Sequence, residues 1–230
     1  MVMRRTGRLH RRLWRVLVRT VMALALLAVA LVLLFRWVNP PPGFLVISER
    51  LRLGHIERDW APLAAMSANL PLSAAAAEDA NFCLHMGFDL DGIRAALADG
   101  ERLRGGSTIS QQVAKNVFLW PGRNWTRKGL EAGFTVLIEI LWPKRRVMEV
   151  YLNVAEMGTG VFGAGAAARH YWKTSAGDLG PQRAARLMAI LPDPRNRSPV
   201  SGSGYIARRG AAIERGAATI RADGRAACFT

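Results

Sequence analysis

From Val16 to Phe35 every position is apolar except Arg19 and Thr20. A helix of about 20 residues rising 1.5 Å per residue spans roughly 30 Å, the hydrocarbon thickness of a bilayer. The pattern therefore predicts a transmembrane anchor over residues 16–38, with Trp14 and Trp37 as interfacial rings at its two ends. A cleaved leader is the competing reading, since Ala28-Val29-Ala30 has the small-residue spacing of a cleavage site. Against it, Leu31 to Phe35 prolong the apolar run where a leader should turn polar. Asn39-Pro40-Pro41-Pro42-Gly43 then breaks the helix and begins a stiff spacer.

Past the spacer the pattern shortens and then turns helical. Residues 44–60 mix brief apolar runs with charges, which predicts a small hairpin or an irregular arm. Pro71-Leu72-Ser73 caps an alanine-rich helix expected to reach His85 and to end at Gly87, and Asp89–Ala98 reads as a second helix. Thr108-Ile109-Ser110-Gln111 has the spacing of a capping box and starts a third, running to about Trp120. After Pro121-Gly122, Asn124 or Thr126 opens a long helix to Trp142, with Leu130, Phe134, Leu137 and Leu141 at helical spacing. Lys144–Asn153, Phe162–Trp172 and a helix between Pro181 and Pro192 follow, and the tail ends in one more amphipathic helix. Strand signals are few, so the fold class is mainly α. The expected division is a basic segment 1–15, the anchor 16–38, a linker and membrane-proximal arm 39–60, a main domain 61–200 and a basic tail 201–230.

Charge sharpens this picture. The chain of 230 residues carries 32 Lys plus Arg against 17 Asp plus Glu, a formal charge of +15. Arg4, Arg5, Arg8, Arg11, Arg12, Arg15 and Arg19 precede or enter the apolar run with no acid among them, which predicts a cytoplasmic amino terminus. The rest, from about Phe44, then faces the far side of the membrane. The remaining positive excess suggests an anionic partner, and the anchor disfavours nucleic acid because the domain lies across the membrane from the chromosome. Cys83 and Cys228 show no CxxC or Cys/His spacing, which argues against a zinc cluster and a disulfide-stapled scaffold.

Three segments carry candidate chemistry. In EDANFCLHMGFD, helical spacing would put Glu78 and Phe82 on one face, and a carboxylate against aromatic surface has a raised pKa suited to proton exchange. The plainer reading is that Glu78 and Asp79 solvate a helix end and that His85 is structural. In GGSTISQQVAKN, Gly105 and Gly106 let the backbone approach a ligand, and Gln111 and Lys115 share a face. No Lys-Ser/Thr follows at the spacing of a nucleotide-binding loop, and a simple turn and cap is the alternative. In GRNWTRKGLEAGF, Arg123, Arg127 and Lys128 precede Glu131 and, with Lys115, could hold a pyrophosphate. Alternatively, Arg127 and Glu131 are an i, i+4 pair on a solvated face. The segment from Lys144 to Lys173 reads as architecture, with Glu149, Tyr151 and Asn153 fixing nearby loops.

Together these segments resemble the peptidoglycan glycosyltransferase family, found also as the transglycosylase domain of penicillin-binding proteins. The motifs EDxxFxxHxG, GGSTIxQQxxKN, RKxxE and ExYLN with a glycine-rich turn stand in that order over roughly Glu78 to Lys173. Leu187 to Pro199 resembles the closing segment, while Trp172 stands where Phe is usual. The resemblance implies a lysozyme-like, mainly helical domain that polymerises lipid II by inverting glycosyl transfer and releases undecaprenyl pyrophosphate. It implies that Glu78 is the general base and Glu131 the second glutamate. Lys115, Arg123, Arg127 and Lys128 would meet the pyrophosphate, Ser107, Gln111 and Gln112 would line the sugar cleft, and Asp79, Phe82 and His85 would support. With no Ser-x-x-Lys the chain is similar to the monofunctional biosynthetic form. Mg²⁺ or Mn²⁺ assists some members at the pyrophosphate, although no ligand cluster here marks a metal site. The implied partners are lipid II, the growing glycan chain, the membrane and other cell-wall synthesis or division proteins, and the implied location is the bacterial inner membrane. A lysozyme-like hydrolase or lytic transglycosylase is the alternative within the same fold, and a basic membrane-tethered scaffold the alternative outside enzymes.

Overall fold

The computed structural model describes residues 3–90, 106–122 and 124–230. The expected helix Asp89–Ala98 therefore lies almost wholly outside the described residues. Helix α1 runs Met3–Phe35, and within it His10–Phe35 is long and apolar enough to cross a membrane. Its last turn is docked onto the domain. Val32 is fully buried and its carbonyl accepts Trp142 Nε1–H at 2.7 Å, while Arg146 donates to Phe35 O at 3.1 Å and Val38 O at 2.9 Å. Arg36 returns the contact by donating to Leu141 O at 2.7 Å. The proline segment is tied too, since Pro40 O accepts from Arg58 at 2.9 Å. It works as a joint rather than a free spacer.

The arm expected over residues 44–60 is instead a helix, α2 (Phe44–Leu53), followed by strand β1 (Glu57–Arg58). Val46 and Glu49 are its buried positions, and tertiary packing of that narrow stripe decides for helix where the sequence pattern was too short to do so. β1 pairs in parallel with β3 (Val161–Phe162), which pairs antiparallel with β2 (Glu156–Gly158), in the order β1-β3-β2.

Helix α3 covers Asn69–Glu78 and stops well before His85. The next residue, Asp79, leaves helical geometry at φ −162°, ψ 72°, because its side chain is committed across the structure, to Ile109 N and His85. Glu78 and Phe82 consequently share no helical face. Helix α4 (Ile109–Phe118) starts with the expected capping box, Gln111 Oε1 accepting Thr108 N–H at 2.9 Å and Thr108 Oγ1 accepting Gln111 N–H at 3.3 Å. Asn124 Oδ1 caps α5 (Trp125–Leu141) by accepting Arg127 N–H at 2.7 Å. Helices α6 (Lys144–Val154), α7 (Ala164–Trp172) and α8 (Pro181–Ala189) follow, and Asn153 pins the chain by bonding both Ala61 N (2.8 Å) and Ala61 O (2.9 Å).

The tail is not an appendage. Helix α9 (Gly204–Ala222) packs on α8 and α3, burying Ile206, Ile213 and Ile220, and Phe229 beyond it is buried as well. This return places Cys228 beside Cys83, and the two form a disulfide with Cα atoms 5.6 Å apart. The argument from spacing against a disulfide is thus corrected. A separation of 145 residues carries no local signal, and only the packing of α9 across α3 brings the pair together.

If α9 is core, Ile213→Ala should lower stability by about 2–4 kcal/mol through lost burial and a residual cavity. Thermal melts of the detergent-solubilised chain check this; a loose tail would leave the melting temperature unchanged.

Candidate active site

A cleft of about 480 Å³ lies between α4 and the start of α5, with Leu45 of α2 at its rim. Ser107, Gln111, Gln112 and Lys115 line one wall, and Arg127, Lys128 and Glu131 the other. Of the residues expected from sequence only Arg123 lies outside the described residues. Asn116 and Trp120 also line the cleft, and the sequence reading did not single them out. Leu45 could not have been found, because no sequence signal joins α2 to α4.

The Arg127–Glu131 pair is where the local reading fails most clearly. The i, i+4 spacing is realised, with Arg127 Nη1 donating to Glu131 Oε2 at 2.7 Å, but the pair is not on a solvated face. Arg127 is 7% exposed and Glu131 2%. Lys128 bonds the other oxygen, Oε1, so both oxygens of this carboxylate are held by cations. Lys115 points into the same space, and its burial lowers its pKa, partly offset by the nearby Glu131. Lys115, Arg127 and Lys128 against Glu131 leave a positive excess facing the cleft, the arrangement that stabilises a multiply charged anion.

Glu78 is not among the cleft-lining residues but adjoins them, partly exposed. Gln112, which does line the cleft, donates from Nε2 to Glu78 Oε2 at 2.9 Å. Burial pushes the Glu78 carboxyl above its ordinary value, opposed by the Gln112 hydrogen bond, then by Arg209 and Lys115. Gln112 therefore orients the acid as well as lining the cleft. Gln111 is less free than its spacing suggested, since its Oε1 is spent on the cap of α4.

Asp79, Phe82 and His85 form the support beneath. Asp79 Oδ2 accepts Ile109 N–H at 3.0 Å and Oδ1 pairs with His85 Nε2 at 2.8 Å, so both oxygens are used. His85 Nδ1 accepts Gly87 N–H at 3.1 Å, which leaves Nε2 as the protonated, donating nitrogen. Phe82 is buried away from the cleft, with Lys144 Nζ 4.4 Å from its ring centre. Lys144 also donates to His85 O at 2.8 Å and to Glu139 Oε1 at 2.9 Å, a tie with no local signal in the sequence. Gly87, at φ +85°, lies so close to α5 that a Cβ there would fall 2.6 Å from Thr135 Cγ2.

Among the described residues no three His, Cys, Asp or Glu side chains are grouped so as to hold a metal ion. Among the described residues the carboxylate lining the cleft, Glu131, is committed to two cations, an arrangement that does not fit a divalent ion.

Comparison with known proteins is decisive on kinship. The profile of the Transglycosylase family matches residues 46–217. The chain belongs to that family. It is 52% identical over 215 residues to the biosynthetic peptidoglycan transglycosylase of Jannaschia sp. (strain CCS1), covering 94% of this chain and 90% of the relative. The enzyme of the same name from Rhodospirillum centenum is 52% identical over 223 residues, covering 95% and 96%. That from Pseudomonas syringae pv. syringae is 47% identical over 204 residues, covering 85% and 86%. The matched region reaches into α9, which agrees with its place in the core.

The half-buried Glu78 carboxylate has a stability consequence. With its pKa raised above the ordinary 4.5, Glu78 binds its proton more tightly in the native state, so native stability is lost as pH rises from there through the raised value. Glu78→Gln removes the charge but keeps an acceptor for Gln112. The variant should melt above wild type at about pH 7 and together with it near pH 4, where both side chains are neutral.

Proposed function

We propose that this transglycosylase polymerises lipid II into the glycan strands of peptidoglycan, with Glu78 as general base and the cations of the cleft as receivers of the leaving pyrophosphate. The observation that carries the reading is the pairing of a half-buried carboxylate of raised pKa with a cleft of excess positive charge, bridged by Gln112. The names of the relatives support it.

In this reading the 4-hydroxyl of the acceptor's GlcNAc gives its proton to Glu78 as its oxygen attacks C1 of the growing chain's MurNAc. The C1–O bond to pyrophosphate breaks on the opposite face, and the α-linked donor becomes a β-1,4 linkage. Charge developing on the departing pyrophosphate meets Lys115, Arg127 and Lys128, the last two already held in place by Glu131. Arg123 is assigned to the same task by its motif. Glu131 here holds cations rather than protons, and Ser107, Gln111 and Gln112 contact the sugars. A good leaving group stabilised in this way needs no strong general acid.

A hydrolase uses its second carboxyl as an acid, base or nucleophile. Glu131, held at both oxygens by cations, is poorly suited to that, which favours synthesis. The proposed location is the inner membrane, with the amino terminus cytoplasmic and the domain periplasmic. The arginines before the apolar run support that orientation, and the Cys83–Cys228 bridge suits an oxidising compartment. Partners among cell-wall synthesis or division proteins belong to the same proposal, and any Mg²⁺ or Mn²⁺ would have to arrive with the pyrophosphate.

Purified full-length chain given lipid II should yield glycan polymer, and Glu78→Gln should reduce the rate by at least about 100-fold while the fold persists. Activity should rise with pH as Glu78 deprotonates, with an acid limb above 4.5. Fragment release from finished peptidoglycan without polymer from lipid II would overturn the assignment.

A further inference from the structure

Four contacts converge on residues 77–83, and all come from the last 22 residues of the chain. Arg209 Nη2 donates to Ala77 O at 3.1 Å, and Arg225 Nη1 to Ala80 O at 3.4 Å. Cys228 is bonded to Cys83, and the Phe229 ring packs on Phe82 with centroids 6.0 Å apart. Arg145 of α6 secures the far end by donating to Phe229 O at 3.2 Å. None of the four contributing residues belongs to the motifs that carry the family resemblance.

The target of these contacts is the end of α3, whose last residue is Glu78. The final carbonyls of a helix lack partners within it, and helix ends fray. A base must nevertheless be held within about 0.5 Å of its working geometry. Cations at a helix carboxyl end satisfy orphan carbonyls and complement the dipole there. Arg209 does so one residue from Glu78, and the bridge fixes the loop five residues beyond it.

We propose that residues 204–230 clamp the segment carrying Glu78, with Arg209 as a positioning residue for that carboxylate and the Cys83–Cys228 bridge as a reducible lock. The inference rests on the assignment of Glu78 as base. Both cysteines are half-buried, which leaves the bridge open to a small dithiol. Opening it takes two electrons and two protons from the dithiol, which becomes a disulfide itself, and leaves two thiols on the protein. Of the contacts from the chain's end, the segment then keeps only those of Arg209, Arg225 and Phe229. The charged and titratable groups around Glu78 are Asp79 beside it, Lys115 on α4, Arg209 on α9 and the buried Tyr151 on α6. Of these, Arg209 and Lys115 favour the ionised form, so removing Arg209 raises the pH at which the base becomes available.

The test uses full-length protein in detergent with lipid II, oxidised and after treatment with dithiothreitol. Reduction should lower kcat about tenfold with KM little changed, as a displaced catalytic group does, and reoxidation should restore it. The Cys83→Ser/Cys228→Ser chain should start at the reduced level and ignore the dithiol. Arg209→Met should move the acid limb of the kcat profile to higher pH, and Arg209→Lys should restore most of it. Equal kcat in both redox states, or an Arg209→Met profile identical to wild type, overturns the clamp. So does a loss of kcat accompanied by loss of the melting transition, which is unfolding rather than mispositioning. Amide hydrogen exchange over residues 79–88 reads the clamp without activity and should quicken on reduction; unchanged exchange counts against it. If oxidised wild type makes no polymer, or Glu78→Gln still does, the assignment of Glu78 fails, and the exchange experiment alone decides the clamp.

Discussion

Asp79 joins two helix ends with one side chain, and the geometry of the cleft hangs from that junction. One of its oxygens takes the first free N–H of α4, at Ile109, while its backbone terminates α3 immediately after Glu78. The negative charge sits where the α4 dipole and an orphan donor both favour it. His85, oriented by Gly87, holds the other oxygen and prevents the carboxylate from rotating toward the cleft. The end of one helix is thereby registered against the start of the next. That register is what brings Glu78 to Gln112, one turn into α4, and sets Lys115 another turn along on the cleft side.

The same economy governs how the domain meets its anchor. The end of α1 does not lead into a loose tether, because Trp142, Arg146 and Arg36 exchange hydrogen bonds between α1 and the turn joining α5 to α6. Phe35 reaches Phe118 at the end of α4, with centroids 5.8 Å apart, so the cleft helix itself touches the anchor. On the proposed reading the substrate's pyrophosphate is tethered to a membrane lipid. A cleft rigidly held at the foot of a membrane helix meets that group at its own depth, without a search across a flexible linker.

What was legible in the sequence was what local chemistry decides. The capping box at Thr108, the Asn124 cap and Pro181 at a first turn each act through bonds within a few residues, and each helix begins where those signals stand. The spacing of Arg127 and Glu131 predicts a pair, but spacing cannot report what packs against it, and α5 packs along α4, an element outside the local pattern. The end of α3 falls short of the expected His85 for a similar reason. An alanine-rich run continues to favour helix through Ala80, and only the distant amide of Ile109 draws Asp79 out of it. The disulfide and the core role of α9 were invisible because nothing near Cys83 or Cys228 refers to the other.

The arginine excess also takes on a different meaning in the folded chain. Among the described residues, several of these side chains end on backbone carbonyls at helix ends or turns. Arg36 closes the end of α5, Arg146 the end of α1, Arg209 the end of α3, and Arg186 reaches Ser201 O ahead of α9. A planar group with five donors can serve several acceptors at once, as Arg146 does at the carbonyls of Phe35 and Val38 and the side-chain Oδ1 of Asn39, whereas an ammonium is a point charge with no fixed fork. Lysine occurs only four times, and two of the four, Lys115 and Lys128, line the cleft. The net charge of +15 is thus divided by chemistry as well as by position: lysine joins Arg127 in the cleft wall, where the proposed reading puts an anion, and most of the arginine named here works on the protein's own carbonyls.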